Sequence, residues 1–286
     1  MLHAILKRIA RLTWIRFGIR GRFLRLFVDP ETTESTPFTC EFYGDTYSGN
    51  LNSYIDWCAY FFGLYEKEYL EYLATFVAKG KETIFIDVGA NVGHHSIFMS
   101  RIASVVHSFE PNPTVRKLLE QKIHANSKKN IVVHDVGLGK QDEGLDYFTP
   151  TGANHGTGSF VKGYSPNNEN SPTLLQVVNG DKYITKLNLP RIDLVKIDVE
   201  GFEKNVLIGL KETLILHRPV LAIEFSKQTR ESFVNLEEFQ KLLPADYLIE
   251  QVVCNAHFAI AFNKSACVLE EFDFNKFEGN LLVRPG

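Results

Sequence analysis

The 286 residues carry ordinary apolar, aromatic and charged fractions of 44%, 12% and 23%, with a net charge of −3. That size admits one large α/β domain with an appendage and argues against two full domains. No apolar run approaches the ~20 residues needed to span a bilayer, and the charge balance points away from a nucleic-acid partner. The four cysteines, Cys40, Cys58, Cys254 and Cys267, form no C-x-x-C pair. They are expected to be free, mostly buried thiols in a reducing cytoplasm.

The overall charge hides an asymmetry. Residues 1–27 hold Lys7, Arg8, Arg11, Arg16, Arg20, Arg22 and Arg25 with no acid, so the remainder of the chain sits at −10. Leu2, Ile5, Leu6, Ile9 and Leu12 fall at helical spacing opposite Lys7, Arg8 and Arg11. Two readings follow: a helix packed on its own domain with a solvated basic face, or peripheral contact with the anionic inner face of a membrane. The segment lacks the continuous apolar core of a secretory signal.

Residues 28–52 read as irregular, with room for a small hairpin. Tyr54 to Lys79 predicts a long aromatic helix that stops at Gly80. Residues 1–80 are thus expected as an N-terminal extension to a main domain over 81–286. From residue 83 strands and helices alternate. Strands are predicted at 83–88, 105–110, 131–136, 193–199 and 220–225, and helices at 94–103, 113–127, 203–217 and 235–243. That rhythm predicts a mostly parallel, doubly wound sheet. It breaks over 139–192, an insertion rich in Gly and small polar residues that is expected to wall a pocket. Within it, Asn179-Gly180 between Leu174–Val178 and Tyr183–Leu187 predicts a hairpin.

The most informative pair of motifs is FIDVGANVG (Phe85–Gly93) and SFEPNP (Ser108–Pro113). Each is an apolar strand with an acid at its end, Asp87 or Glu110, and the first continues through Gly89 and Gly93 into a helix. A nucleoside cofactor suits this arrangement: the turn exposes backbone N–H groups, and the second acid accepts hydrogen bonds from the ribose hydroxyls. Asn91 stands where a dinucleotide loop needs a glycine, and Asp87 would repel a pyrophosphate but suit a cationic amino group. S-adenosylmethionine therefore fits better than NAD. At the third strand tip, Asp135 and Val136 are candidates for the adenine amino group and ring.

DLVKIDVEGFE (Asp193–Glu203) is denser in charge. Period two sends Lys196, Asp198 and Glu200 to one face of a strand, and charges in a buried strand are costly unless paired or used. One reading is a Lys–carboxylate pair closing the sheet end; the other is a catalytic strand tip. VLAIEFS (Val220–Ser226) brings Glu224 towards the same pocket.

The run FIDVGANVGHHS, FEPNP, DLVKIDVEGFEKNVLIG and RPVLAIEFS resembles the FkbM family of S-adenosylmethionine-dependent methyltransferases, over residues 70–260. The resemblance implies a class I methyltransferase (Rossmann-like) α/β fold with a seven-stranded sheet and a reversed final hairpin. Candidates for that hairpin are Tyr247–Cys254 with Asn280–Arg284, or His257–Phe262. It implies methyl transfer to a hydroxyl of a sugar, glycan or related natural product, with cofactor contacts at Asp87, Gly89, Asn91, Gly93, Glu110 and Asp135. The K-x-D-x-E-G element falls on Lys196, Asp198, Glu200 and Gly201. His94-His95 departs from the family, which carries an aromatic or apolar residue after the turn glycine. The two histidines are read as solvated residues of the helix's first turn, or as contacts of the acceptor.

Asp198 is the preferred general base, Glu200 the second choice, and Lys196 the stabiliser of the oxyanion or of ionised Asp198. The alternative gathers Asp198, Glu200, Glu203 and Glu224 around Mg²⁺. His107, His124, His134 and His155 show no paired spacing for zinc, and His155 is a secondary candidate base. The rival functions are a catalytically silent binding protein on this scaffold and an NAD-dependent oxidoreductase.

Overall fold

The computed structural model describes residues 2–12, 14–15, 17–63, 65–77, 82–149, 158–164, 171–255 and 266–286. Helices α1 (Leu2–Ala10) and α2 (Phe17–Arg25) each bury one stripe. Leu6, Ala10 and Leu24 pack with Val28, Leu51, Trp57 and Phe61 in a small core of their own. Strands β1 (Pro37–Phe42) and β2 (Asp45–Asn50) pair as an antiparallel hairpin. The expected aromatic helix is broken in two, α3 (Tyr54–Phe62) and α4 (Lys67–Leu73). Gly63 caps α3 in the left-handed region at φ 89°, and Glu66 starts α4 at φ 51°. The Gly80 stop lies outside the described residues.

The main sheet starts with β3 (Ile84–Val88), α5 (His94–Met99), β4 (Val105–Phe109), α6 (Pro113–Ala125) and β5 (Ile131–His134). Every residue of β3 is buried, as a parallel strand covered on both faces requires. Pro113 at the first turn and the Asn112 side chain, which accepts from the Thr114 N–H at 3.0 Å, set the start of α6. The insertion folds as β6 (Gly137–Gly139), β7 (Glu143–Tyr147) and β8 (Thr173–Asn179) in the order β6-β8-β7, followed by α7 (Gly180–Leu187).

That helix replaces the hairpin predicted at Asn179-Gly180. Asn179 acts as an N-cap, its Oδ1 accepting from the Lys182 N–H at 2.9 Å, and Ile184 anchors the helix in the core. An Asn serves turns and caps by the same side-chain acceptor, so the local signal reads both ways.

The chain continues with β9 (Leu194–Ile197), α8 (Glu203–Gly209), α9 (Lys211–His217) and β10 (Val220–Phe225). Then come α10 (Lys227–Glu231), α11 (Leu236–Gln240), β11 (Tyr247–Asn255), β12 (Ala266–Glu271) and β13 (Gly279–Pro285). The sheet order is β12-β11-β13-β10-β9-β3-β4-β5. Strands β3, β4, β5, β9 and β10 are mutually parallel, while β13 lies antiparallel between β10 and β11. The reversed strands fall on the Tyr247–Cys254 and Asn280–Arg284 candidates; His257–Phe262 lies outside the described residues. This is the α/β architecture the resemblance implies, with one correction: β12 adds an eighth strand by pairing with β11.

A second correction concerns the cysteines. Cys254 and Cys267 face each other across β11 and β12, with Cα atoms 4.0 Å apart, and are joined by a disulfide. Cys40 and Cys58 are free thiols. The expectation of free thiols throughout fails because strand register brings together cysteines 13 residues apart.

The two sheet faces carry separate cores. Ile84, Ile86 and Val88 pack on one side with α7, α8 and α9, while Phe85 points to the other with Ile97 and Met99 of α5. The extension helps cover that second face through Phe42, Tyr47, Leu70 and Leu73. The chain runs outward from β3 to β5 and returns at β9, so the switch in strand order falls between β3 and β9. Ligands of open α/β sheets sit at that point, beyond the carboxyl ends of the strands.

Candidate active site

The turn after β3 is drawn over β4 by two hydrogen bonds, from the N–H groups of Gly89 and Ala90 to the Phe109 carbonyl at 3.1 and 3.0 Å. Asn91 follows in the left-handed region at φ 52°, and its N–H donates to Oε2 of Glu110 at 2.9 Å. The other oxygen of Glu110 accepts from the Asn112 N–H at 2.8 Å. Each carboxylate oxygen thus holds one backbone donor and keeps a second lone pair. Burial raises the Glu110 pKa to about 7, against the pull of those two backbone donors.

Gly89 has a second reason to be glycine besides its φ of 81°. A Cβ there would run into the carbonyl oxygen of Asp198. The tips of β3 and β9 touch at this point, and the Asp198 N–H donates to the Val88 carbonyl at 3.1 Å. Sequence reasoning assigns the glycine to the cofactor; the structure adds a neighbouring strand that needs the same empty space.

Asp87 stands behind the turn, fully buried. Its Oδ2 accepts from the Ser96 hydroxyl at 2.6 Å, and its Oδ1 lies 3.8 Å from the Lys196 Nζ. Lys196 reaches forward to Asp198, with Nζ 2.9 Å from Oδ2. Burial works against both charges. For Lys196, Asp198 and Asp87 outweigh it and hold the pKa above the usual lysine range. For Asp198, Lys196 outweighs it and holds the pKa below the usual aspartate value.

Glu200 leaves the strand in a left-handed turn at φ 54°, so alternation along β9 ends before it. Lys196 and Asp198 meet directly, while the Glu200 side chain is hydrogen-bonded to Tyr164 of the insertion. The hydroxyl of Ser159 pins the Glu200 carbonyl at 2.6 Å. Burial, followed by the charge of Asp198, pushes Glu200 up to about 8. Glu224 on β10 is pushed up to about 11, chiefly by Asp198 and then by burial, and shares a hydrogen bond with Asp198. Near neutral pH one ionised carboxylate, Asp198, therefore sits between two protonated ones.

Glu203 plays another part. Oε1 accepts from the N–H groups of Val199 and Gly201 at 2.9 and 3.2 Å, and Oε2 accepts from the Thr229 hydroxyl at 2.6 Å. It braces the turn on which Glu200 rides. The Mg²⁺ alternative finds no donor set: among the described residues no three His, Cys, Asp or Glu side chains are grouped to hold a metal ion.

Asn91, Glu110, Asp198 and Glu200 line one cleft open to solvent, with Tyr147 and Phe160 of the insertion on its wall. The cleft is bordered by Gly137 and Leu138, two residues beyond exposed Asp135 and half-buried Val136. His155 falls outside the described residues.

The solvated reading of His94 and His95 does not hold. Both are buried, and burial lowers each pKa to about 3. His94 Nε2 is 2.9 Å from the Tyr65 carbonyl, and His95 Nε2 is 3.6 Å from Oε2 of Glu66. Glu66 also accepts from the Asn280 amide at 3.1 Å, and its pKa is raised by burial and by Asp198. The extension thus delivers Tyr65 and Glu66 beside the Lys196–Asp198 pair. Neither carries a local sequence signal of its own; Gly63, which caps α3, is the residue that ends the helix before them.

Residues 87–251 match the Methyltransferase FkbM domain. The chain belongs to this family. Hexuronic acid methyltransferase AglP of Haloferax volcanii is 30% identical over 135 residues, covering 47% of this chain and 52% of that protein. Methyltransferase 1 of Beauveria bassiana is 25% identical over 148 residues, covering 46% and 59%. The chain spans little more than half the length of these curated relatives. Among solved structures, a Methyltransferase FkbM from Methylobacillus flagellatus KT is 18% identical at a TM-score of 0.45, covering 72% of this chain and 44% of that one. TYW2 of M. jannaschii in complex with AdoMet is 10% identical at a TM-score of 0.40, covering 88% of this chain and 86% of that one.

Proposed function

We propose that this FkbM-family chain is an S-adenosylmethionine-dependent O-methyltransferase acting on a hydroxyl of a sugar, glycan or related natural product. The observation that carries the reading is a single cleft lined by both Glu110 and Asp198. Bound there, S-adenosylmethionine supplies an electrophilic methyl group on a sulfonium. Glu110 has a free lone pair on each oxygen for the two ribose hydroxyls. The Gly89–Gly93 turn with Asn91 would hold the amino-acid tail, with Asp87 fully buried behind it. Asp135 and Val136 would hold the adenine.

Asp198 receives the proton of the acceptor hydroxyl. It is the one member of the Asp198, Glu200 and Glu224 group that is ionised at neutral pH, which a base must be. Lys196 keeps it so and offsets negative charge growing on the acceptor oxygen. The name of the Haloferax relative, a hexuronic acid methyltransferase, supports a sugar as acceptor.

Calorimetric titration with S-adenosylmethionine and with NAD tests the cofactor. Binding of S-adenosylmethionine alone, lost in Glu110→Ala, supports the reading; NAD binding, or none at all, defeats it. Transfer of methyl groups to a panel of hexuronic acid glycosides then separates an enzyme from a silent binding protein.

A further inference from the structure

Every exposed Phe, Tyr or Trp among the described residues lies between positions 14 and 27. Trp14 is 74% exposed, Phe17 40%, Phe23 39% and Phe27 51%, and Leu26 beside them reaches 79%. Leu2 and Ile5 extend the apolar surface onto α1. These side chains are not a poorly filled core, because α1 and α2 already bury Leu6, Ala10 and Leu24 against Trp57 and Phe61. Phe17 and Phe23 on α2, with Trp14, Leu26 and Phe27 in the turns that flank it, present apolar side chains to water. Exposed apolar residues scattered singly need no explanation, but a cluster of this size marks a contact surface.

Charge selects the partner. Arg8 on α1, Arg11 just beyond its end and Arg22 on α2 are exposed, and residues 1–27 contain no acid. A two-fold dimer through this face would set the cations of one copy against those of the other. Aromatic and leucine side chains among uncompensated arginines suit the boundary between anionic headgroups and acyl chains. Neither helix is long and apolar enough to cross a bilayer. We propose that α1 and α2 dock flat on an anionic phospholipid surface, with Trp14, Phe23, Leu26 and Phe27 inserted at the headgroup boundary. The Phe17 ring packs on Phe62 at the end of α3, with centroids 4.6 Å apart, so the docking face is tied to the segment that carries Tyr65 and Glu66. The inference goes beyond methyl transfer and does not depend on it.

Co-sedimentation of the full chain with phosphatidylcholine vesicles, with and without phosphatidylglycerol, tests it. Binding is expected with phosphatidylglycerol present. The variant Trp14→Ser/Leu26→Ser/Phe27→Ser should bind at least about tenfold more weakly. The variant Arg8→Glu/Arg11→Glu/Arg22→Glu should lose about a hundredfold. Both sets of side chains are exposed, and circular dichroism with unchanged thermal midpoints verifies the fold. Absence of binding, or equal binding by the serine variant, overturns the proposal. So does a dimer, seen by light scattering, that the serine variant dissolves. Vesicle binding without S-adenosylmethionine binding would leave this inference standing while removing the methyltransferase reading.

Discussion

Buried Lys196 forms an ion pair with half-buried Asp198 at 2.9 Å, and the same ammonium stands 3.8 Å from Asp87 on the neighbouring strand. One cation therefore serves two carboxylates, one wholly enclosed and one opening on the cleft. Removing it leaves both uncompensated. Lys196→Met should destabilise the fold by about 3–5 kcal/mol, the usual cost of stranding a buried charge. Urea denaturation at neutral pH measures this; a loss within experimental error would show that the pair carries no such burden.

The carboxylates of the cleft should separate by mutation. Asp198→Asn removes the ionised group and should lower kcat by about 10²–10⁴ at neutral pH. Glu200→Gln should keep most of the activity at pH 7, since Glu200, at about 8, already holds its proton there. A collapse in Glu200→Gln with Asp198→Asn still active would reverse the assignment of the base.

Cofactor affinity should depend on pH through Glu110. At about 7 its carboxyl is protonated on the acid side, whereas two ribose hydroxyls donate best to the charged form. Affinity for S-adenosylmethionine should climb by up to about tenfold per pH unit below 7 and level off above it. Calorimetry between pH 5.5 and about 8.5 reads the slope, and Glu110→Gln should bind weakly with a flat profile.

Stability of the ligand-free chain should run the opposite way. Glu110 and Glu200 have folded-state pKa values, about 7 and about 8, raised above the ordinary glutamate value. The folded protein therefore holds protons that the unfolded chain releases. Their contribution is fully present below the ordinary value of 4.5 and is lost as pH rises through about 8. Glu200→Gln should flatten that decline by a few kcal/mol, to order of magnitude. An unchanged pH profile in urea denaturation would contradict the buried, protonated state.

How much of this was legible in sequence follows from the range of each signal. The strand tips with Asp87, Glu110 and Asp198 could be read because burial on both faces makes parallel strands apolar runs, and a terminal acid then stands out. Asn179-Gly180 misled because one side chain serves both a turn and a helix cap. The Cys254–Cys267 bond and strand β12 depend on register between segments, which no local pattern encodes. Glu66 was invisible for the same reason: its place beside Asp198 is set by how the extension packs, not by its neighbours in the chain.

That packing carries a consequence for the autonomy of the family segment. Phe42, Tyr47, Leu70 and Leu73 share one buried cluster with Phe85, Val106, Leu194 and Leu282. The stretch that matches the family, 87–251, omits both the extension and β13. Cut to those residues, the protein would bare one face of its sheet to water and leave the hydrogen-bonding edge of β10 without its antiparallel neighbour. Such a fragment should aggregate rather than fold, so the smallest folding unit is larger than the stretch by which its family is recognised.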